Sequence, residues 1–325
     1  MGKNYLKKFL FNKSRLVLIG IENFNREYQG KYLLAKELSS EGFKVILAHK
    51  SFIQSIVKFC PIREQIYIDK DANTHSGPRY SNAKKAGFNI FCFDEEGLLR
   101  DKSDHFLKTN HKPISVKSIN GIFSWGKKHS KILKDAGYKP SQIIKTGNPR
   151  FDPYKLKAPK ISNSERKYIL ICSRFGMANP NNKVQENDLH SSMKKYLKES
   201  KEVFKTFIEI PNKLRQAGIQ TPILIRPHPS ESPEIWRRVT KSLPNIVVTN
   251  SSPLINSLSK TKLIIHNRCT TSIEAFMCNI PVISYEPIEL NKDSSGSSPP
   301  KDFFNPISSF IAKDHSELID SISFI

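Results

Sequence analysis

Short runs of consecutive apolar residues recur along the chain, and each is followed by a polar loop and then a helical pattern. Strands that are covered on both faces lose the alternation of buried and exposed positions, so these runs predict buried parallel strands. Helical patterns over residues 28–41, 127–136, 189–217 and 315–322 predict helices between and after them. The first five predicted strands are Leu16 to Ile21, Lys44 to Ala48, Phe88 to Phe93, Gly121 to Ser124 and Ile143 to Thr146.

A second series of apolar runs begins after an interruption at residues 152–164, where prolines, lysines and small polar residues replace the apolar rhythm. At roughly 150 residues per domain, a chain of 325 residues suits two domains. We predict an α/β fold of two Rossmann-like domains, residues 1–152 and 165–325, which are joined by a linker at 153–164 and face a cleft. The second series of strands is Tyr168 to Cys172, Pro222 to Ile225, Ile246 to Val248, Leu263 to Ile265 and Val282 to Ser284.

The chain is strongly basic, with 52 lysine and arginine residues against 30 acidic ones and a formal net charge of +22. This imbalance predicts an anionic substrate, partner or surface. Hydrophobic residues make up 38% of the chain, too much for a disordered basic tail. No helix-turn-helix, zinc-finger, RNP or OB signature is present, so no nucleic-acid partner is expected. The five cysteines contain no CxxC pair, which argues against a disulfide framework and favours a reducing compartment.

The first fifteen residues, MGKNYLKKFLFNKSR, interleave five basic residues with leucine and aromatic residues and contain no acid. This composition is typical of a segment that lies at a membrane interface. Lysines break its apolar patch too early for a signal peptide, and no apolar run approaches the roughly 20 residues that span a bilayer. We expect a cytoplasmic protein that is peripheral at the inner face of the cell membrane. The alternative is a frayed, solvated terminus.

The motif RPHPSE follows a predicted strand of the second domain, at the sheet edge where open α/β sheets bind ligands. It fixes His228 between Pro227 and Pro229, close to Arg226. A rigid backbone that holds an imidazole near a guanidinium suits a phosphate group. The alternative is a turn into the next helix, with the histidine merely exposed.

A second polar motif, HNRCTTSIEA, follows the strand that ends at Ile265 and predicts a helix from about Thr271. Backbone amides and hydroxyls at a helix start form a phosphate site, to which Arg268 adds charge. Thr271 and Glu274 could instead form a capping box. The residues predicted here to bind the sugar donor are Thr270, Thr271 and Ser272, which would contact its phosphate, and Glu274, which would contact its ribose. The residues expected near the donor after the domain's first strand are Ser173, Arg174 and Gly176.

Three adjacent acids, Asp94, Glu95 and Glu96, end a predicted strand of the first domain and precede a glycine. Crowded like charges raise the pKa of a carboxylate and suit it to acid or base chemistry, so these are the leading catalytic candidates. Glu95 is the first choice. Glu22, at the end of the first strand, is a further candidate that could bind an acceptor hydroxyl. The alternative is an acidic turn whose side chains lie in water.

The motifs TGNPRFD, RPHPSE and HNRCTTSIEA, with IENFNRE and DEEGL, resemble those of bacterial surface carbohydrate biosynthesis proteins. These are GT-B-like proteins related to the capsule Kdo transferases and, more loosely, to the teichoic-acid glycerophosphotransferases. The resemblance implies that His228, Pro229 and the threonine-rich helix start contact a CMP phosphate. It also implies that Glu95 or Glu96 does the chemistry. Gly147 and Asn148 of TGNPRFD, which closes the last strand of the first domain, are expected at the cleft in contact with the donor, or in an ordinary turn.

The sequence therefore predicts a glycosyltransferase that moves an acidic sugar, Kdo or a nonulosonic acid, from a CMP-sugar to a lipid-linked or oligosaccharide acceptor. No cofactor and no metal are expected, because fixed cationic and N–H donors can stabilise a single departing phosphate. Three alternatives stay open: a UDP-sugar 2-epimerase, a teichoic-acid-type glycerophosphotransferase, and a nonenzymatic glycan-assembly protein of the same fold.

Overall fold

The chain forms two compact units, Met1–Pro153 and Tyr154–Ile325, each built around one six-stranded sheet. The computed structural model describes residues 15–59, 64–72, 77–95, 97, 113–157, 163–181, 191–287 and 304–325. Glu96, most of the basic opening segment and the middle of the predicted linker lie outside these residues. The predicted α/β class is confirmed, because every strand pair within each sheet is parallel and helices alternate with the strands.

The sheet of the first unit has the strand order β2-β1-β3-β4-β5-β6. Its strands are β1 (Leu16–Ile21), β2 (Lys44–His49), β3 (Ile66–Asp69), β4 (Asn89–Cys92), β5 (Gly121–Ser124) and β6 (Ile143–Lys145). Its helices are α1 (Phe24–Ser40), α2 (Lys50–Phe59), α3 (Gly77–Lys85), α4 (Pro113–Ser118) and α5 (Lys127–Asp135). The sequence analysis missed β3, whose short run Ile66–Ile68 is bounded by polar residues and ends at the buried Asp69.

The sheet of the second unit has the order β12-β11-β10-β7-β8-β9. Its strands are β7 (Tyr168–Cys172), β8 (Ile223–Arg226), β9 (Ile246–Val248), β10 (Thr261–His266), β11 (Val282–Tyr285) and β12 (Phe310–Ala312). The helices that follow α5 are α6 (Asp152–Lys157), α7 (Ser191–Phe207), α8 (Ile210–Gln216), α9 (Glu234–Thr240), α10 (Leu254–Leu258), α11 (Thr271–Met277) and α12 (His315–Phe324). Helix α6 occupies the start of the stretch that was expected to be a linker.

The single long helix predicted near 189–217 is in fact two helices, α7 and α8. Pro211, at the start of α8, has no amide hydrogen to donate to the carbonyl of Phe207. Its ring would also clash with that carbonyl in a continuous helix. The proline therefore ends one helix and begins the next.

Strand β1 shows why the apolar runs were informative. All six of its residues are buried. Successive strand residues point to opposite faces, so Leu16 and Leu18 pack with Ile53 of α2, whereas Val17 and Ile19 pack with Ala35 of α1. Two helical layers thus cover one central strand. Because the strands of each sheet are parallel, their carboxyl ends lie along one edge, and the loops that follow them lie there together.

Candidate functional site

The acidic turn follows β4 at the carboxyl edge of the first sheet. Asp94 lies in the left-handed region with φ of 45°, and its carbonyl accepts a hydrogen bond from Trp125 Nε1 at 2.8 Å. His129 Nδ1 accepts the Trp125 amide at 3.1 Å, so its Nε2 carries the proton and donates to Asp94 Oδ2 at 3.0 Å. Asp94 and His129 are both buried. Asp94 therefore anchors the turn to the end of β5 and the start of α5.

Glu95 is the buried carboxylate of this turn, with 6% of its surface exposed. Its Oε1 lies 3.5 Å from Lys31 Nζ, and its Oε2 lies 3.5 Å from Asn148 Nδ2. Burial raises the pKa of Glu95 above its ordinary value, and the positive charge of Lys31 opposes that effect only in part. The acidic turn is thus not solvated at Glu95.

Lys31 supplies an ammonium group that lies between the carboxylates of Glu95 and Glu27. Lys31 Nζ donates to Glu27 Oε2 at 2.6 Å and to the carbonyl of Gly20 at 2.8 Å. Both side chains are buried, and they lie one turn apart on α1. Glu27 in turn accepts hydrogen bonds from the amides of Glu22 and Asn23. One positive charge therefore lies between two buried negative charges.

The motif TGNPRFD brings Asn148 to Glu95. Gly147 adopts φ of 84°, and Asn148 Oδ1 accepts the amide of Arg150 at 2.9 Å, which starts a short 3₁₀ turn over Pro149–Phe151. That turn packs against α1 at Gly30, where an added Cβ would lie 2.3 Å from the Pro149 carbonyl oxygen. The close approach of two backbones therefore fixes Asn148 beside the carboxylate. Gly147 and Asn148 lie in the first unit after its last strand, where the sequence placed them, and their contact with a donor stays a prediction.

Glu22 follows β1 and has surroundings opposite in kind to those of Glu95. Its carboxylate pairs with the ammonium groups of Lys50 and Lys70. Burial by itself would raise the pKa of Glu22, but the hydrogen bonds from Lys50 and Lys70 outweigh burial and lower the pKa to about 2. Glu22 is therefore ionised throughout the physiological range and is a weak proton acceptor.

The RPHPSE turn lies at the carboxyl end of β8 in the second unit. The ring of His228 is exposed, and its Nδ1 accepts the amide of Ser230 at 3.2 Å. The neutral ring therefore carries its proton on Nε2, which is the nitrogen that can donate to an anion. Pro229 is also exposed, and its carbonyl accepts a hydrogen bond from Asn181 at 2.7 Å.

Glu231 organises this turn, and the sequence analysis did not select it. Its buried carboxylate accepts the hydroxyl of Ser173 at 2.6 Å, the amide of Phe175 at 2.6 Å and the amide of His228 at 3.3 Å. Burial raises the pKa of Glu231, although these donors oppose the rise. It is the sole acid within RPHPSE, a signal that could have found it. Glu231 thus joins the end of β7 to the His228 turn, and Ser173 serves as its partner.

Arg226 also acts inside the fold. Its guanidinium donates to the carbonyl of Ser252 and the hydroxyl of Ser257, each at 2.9 Å. Burial lowers the pKa of Arg226. The Arg226 side chain therefore stabilises the segment after β9. Its Nη atoms point to these serines, at the sheet edge where the His228 turn begins.

The loop after β10 gathers two arginines. Arg268 is buried with φ of 49°, and its Nε donates to Glu286 Oε2 at 3.1 Å. Arg174 donates to the carbonyl of Arg268 at 3.0 Å and to the hydroxyl of Tyr196 at 2.6 Å. His266 at the end of β10 stays neutral, because burial, with a smaller contribution from Arg174, lowers its pKa to about 3.

The threonine-rich segment begins α11. Thr271 is the first helical residue and Thr270 its N-cap, and in this described segment the cap makes no side-chain hydrogen bond, so the capping box considered for Thr271 is not formed. Ser272 is fully buried, and its hydroxyl donates to the carbonyl of Cys269 at 2.7 Å. Glu274 is buried as well. Of these four residues predicted to bind the sugar donor, Thr270 and Thr271 are partly exposed, whereas Ser272 and Glu274 are buried.

Within the described ranges, no three His, Cys, Asp or Glu side chains are grouped so that they could hold a metal ion. In the same part of the chain, no helix is both long and apolar enough to cross a bilayer.

Solved structures show the same two-unit architecture and confirm the GT-B fold. MnaA of S. aureus, solved with UDP, matches with a TM-score of 0.55 and 12% identity over 96% of this chain and 87% of that chain. UDP-GlcNAc 2-epimerase of Methanocaldococcus jannaschii, solved with UDP-GlcNAc and UDP, matches with a TM-score of 0.58 and 12% identity over 96% and 92%. A variant of the wall teichoic acid polymerase TagF matches with a TM-score of 0.57 and 13% identity over 96% and 79%.

At these identities the likeness establishes the fold and not the activity. A search of curated proteins found no match. A family model, that of the LIC12162 family transferases, matches residues 106–295. The matched stretch is more than half of the chain and includes the His228 turn and the β10 loop, and it begins after the acidic turn. The chain therefore belongs to the LIC12162 family of transferases.

Proposed function

We propose that the protein is a glycosyltransferase that moves an acidic sugar, Kdo or a nonulosonic acid, from a CMP-sugar to a hydroxyl of a surface-glycan acceptor. The observation that carries the proposal is the surroundings of Glu95: a buried carboxylate of raised pKa at the carboxyl end of β4, in a member of a transferase family. A carboxylate of raised pKa is a stronger base than an ordinary one, which suits it to take a proton from a hydroxyl.

The charge balance around Glu95 favours its role as a base. With Glu95, Lys31 and Glu27 ionised, two carboxylates share one buried ammonium group. Arg150 and Arg26 add positive charge and, like Lys31, favour the ionised form of Glu95, which is the form that accepts a proton. Burial and the negative charge of Glu27 favour the protonated form, so the surroundings stabilise both states that a base must adopt.

The proposed reaction needs a base for the acceptor hydroxyl and hydrogen-bond donors for the departing phosphate. Glu95 removes the proton of the acceptor hydroxyl as that oxygen forms a bond to the anomeric carbon of the donor. The bond between the anomeric carbon and the phosphate oxygen breaks, and its electron pair leaves with CMP. On the second unit, the Nε2–H of His228 and the helix start at Thr270 and Thr271 are the proposed donors to the phosphate.

The choice of an acidic sugar and of CMP rests on charge. A CMP-sugar releases one phosphate group, which fixed N–H donors and nearby cations can stabilise. Arg174 and Arg268 supply positive charge at the loop after β10. The net charge of +22 would attract both an anionic sugar and an anionic lipid surface.

A nucleotide panel tests the donor class. We expect CMP to raise the melting temperature more than UDP or CDP does, because a ligand that binds only the folded state stabilises it by mass action. His228→Ala should weaken CMP binding on the order of 10²-fold, within the range for losing one positioned donor. His49→Ala, which removes an exposed histidine of the first unit, should leave CMP affinity unchanged.

The products distinguish the alternatives. Transfer of Kdo or a nonulosonic acid from its CMP donor supports the proposal. Epimerisation of a UDP-sugar without acceptor would show instead that the protein is a 2-epimerase. Transfer from CDP-glycerol would show that it is a glycerophosphotransferase. Absence of turnover with every donor would favour a nonenzymatic glycan-assembly protein.

A further inference from the structure

We propose that Lys31 is a positioning residue that keeps the Glu95 carboxylate ionised and oriented between proton transfers, and that Glu27 limits how strongly it does so. The proposal deepens the proposed function and rests on it, since it concerns the group named there as the base. Lys31 forms part of no motif in the sequence analysis. It lies 64 positions before Glu95 in the chain and meets it only in the fold.

The contacts of Lys31 fix its ammonium group in one place. Gly20 at the end of β1 accepts one hydrogen bond, and Glu27 on α1 accepts another. Glu95 Oε1 lies on a further side of the ammonium at 3.5 Å. With 3% of its surface exposed, the lysine has no water-filled space in which to change rotamer. Its charge is therefore a fixed feature of the surroundings of Glu95.

The other charged groups near Glu95 come from two elements. Helix α1 contributes Arg26 and Glu27 beside Lys31, and the turn after β6 contributes Arg150. Lys31 has the largest lowering effect on the pKa of Glu95, and Glu27 opposes it by raising that pKa. Lys31 and Glu27 therefore act in opposite directions on one carboxylate, although they are paired with each other.

This opposition gives a signature that mere damage to the fold would not produce. When the charge of Lys31 is removed, burial and the negative charge of Glu27 remain, and both raise the pKa of Glu95, so that pKa should rise further. Removing the charge of Glu27 leaves Lys31 to Glu95 alone, so its pKa should fall. A variant that only loosened the packing would admit water and lower the pKa of Glu95 in both cases, because hydration stabilises the charged form.

The test is a direct titration of Glu95 in the full-length protein. Glutamate is labelled with ¹³C at the carboxyl carbon, and the Glu95 signal is identified by its loss in Glu95→Gln. The titration midpoint should move to higher pH by about one pH unit or more in Lys31→Met, and to lower pH in Glu27→Gln, as for an ion within a few ångströms. Lys31→Arg, which keeps the charge, should stay close to wild type. Lys36→Met removes an exposed lysine of the same helix and should not move the midpoint.

Opposite shifts in Lys31→Met and Glu27→Gln support the proposal, and shifts of the same sign or no shift overturn it. If Lys31→Met does not fold, Lys31→Gln takes its place, because a downward shift in Glu27→Gln alone would also follow from loosened packing. The acid limb of the transfer rate against pH provides the second measurement, because a base loses activity as the pH falls through its pKa. Opposite NMR shifts without matching movement of that limb would leave the Lys31 role standing and remove Glu95 as the base.

Discussion

Three carboxylates near the carboxyl edge of the first sheet differ in how their surroundings affect proton exchange. Asp94 is engaged by His129, Glu22 is held ionised by Lys50 and Lys70, and burial raises the pKa of Glu95. Pairs of titratable groups whose surroundings push their pKa values apart are the pattern expected where acid and base roles are divided. Of these three carboxylates, Glu95 is therefore the one best suited to exchange a proton.

Glu95→Gln should abolish most of the transfer rate while leaving CMP affinity unchanged, because the amide keeps the shape and cannot accept the proton. Loss of a general base lowers the rate about 10²- to 10⁴-fold. The measurements are single-turnover transfer and CMP binding by calorimetry. Glu37→Gln, an exposed position on α1, is the matched control. Should Glu22→Gln lose the rate and Glu95→Gln keep it, the base is Glu22.

Helix α1 and the turn over Pro149–Phe151 form one assembly around Glu95. Their backbones approach so closely at Gly30 that a Cβ there would lie 2.3 Å from Pro149 O and 2.8 Å from the Cα of Arg150. Both are backbone atoms, which cannot move aside as a flexible side chain would. Lys31 is the next residue of the helix, so the same contact aligns Lys31 and Asn148 with the carboxylate.

Gly30→Ala should destabilise the first unit, although alanine in a helix is favoured over glycine by about 1 kcal/mol. Overpacking costs about 1 to 3 kcal/mol, and an approach of 2.3 Å to a backbone atom places Gly30→Ala toward the upper end, so a net loss of up to about 2 kcal/mol is expected. Urea denaturation followed by circular dichroism would measure it. Gly20→Ala is the control, since its nearest contact would be an ordinary 3.5 Å to Lys50 Cβ. An unchanged urea midpoint for Gly30→Ala would contradict the close packing.

At the scale of the whole molecule, the dominant property is the net charge of +22. Several basic residues lie in the opening segment, together with apolar and aromatic ones and without any acid. A basic amphipathic segment binds an anionic bilayer through both charge and apolar burial. A lipid-linked acceptor would be found at such a surface, so we keep the membrane as the proposed location of the reaction.

Removing residues 1–13 should reduce binding to anionic liposomes while leaving the circular dichroism spectrum of the folded protein unchanged. The segment carries four lysines, each contributing about 1 kcal/mol near an anionic surface, so binding should fall at least about tenfold and become less salt-sensitive. The control removes the same charge elsewhere, by glutamine at four exposed positions of α7: Lys194, Lys195, Lys198 and Lys205. Equal loss in both variants would show that overall charge, and not this segment, binds the membrane.

The sequence by itself determined the fold class and the sheet edges at which its polar motifs lie. A run such as Leu16 to Ile21 indicates a strand that is covered on both faces, because every residue of the run is apolar or small and none favours contact with water. The polar motifs after such strands are likewise local, and parallel pairing alone brings them to one edge. Two short strands, β3 and β12, were not predicted, although the equally short β9 was.

Only the tertiary structure decided which polar residues act together and in what state. Lys31 and Glu95 belong to different predicted elements, as do Ser173 and Glu231, and neither pair has a sequence spacing that signals contact. Three adjacent acids look alike in sequence, whereas the fold buries Glu95 and engages Asp94 with a histidine. The reason is physical: a pKa depends on desolvation and on charges within a few ångströms, and both are set by segments that are distant along the chain.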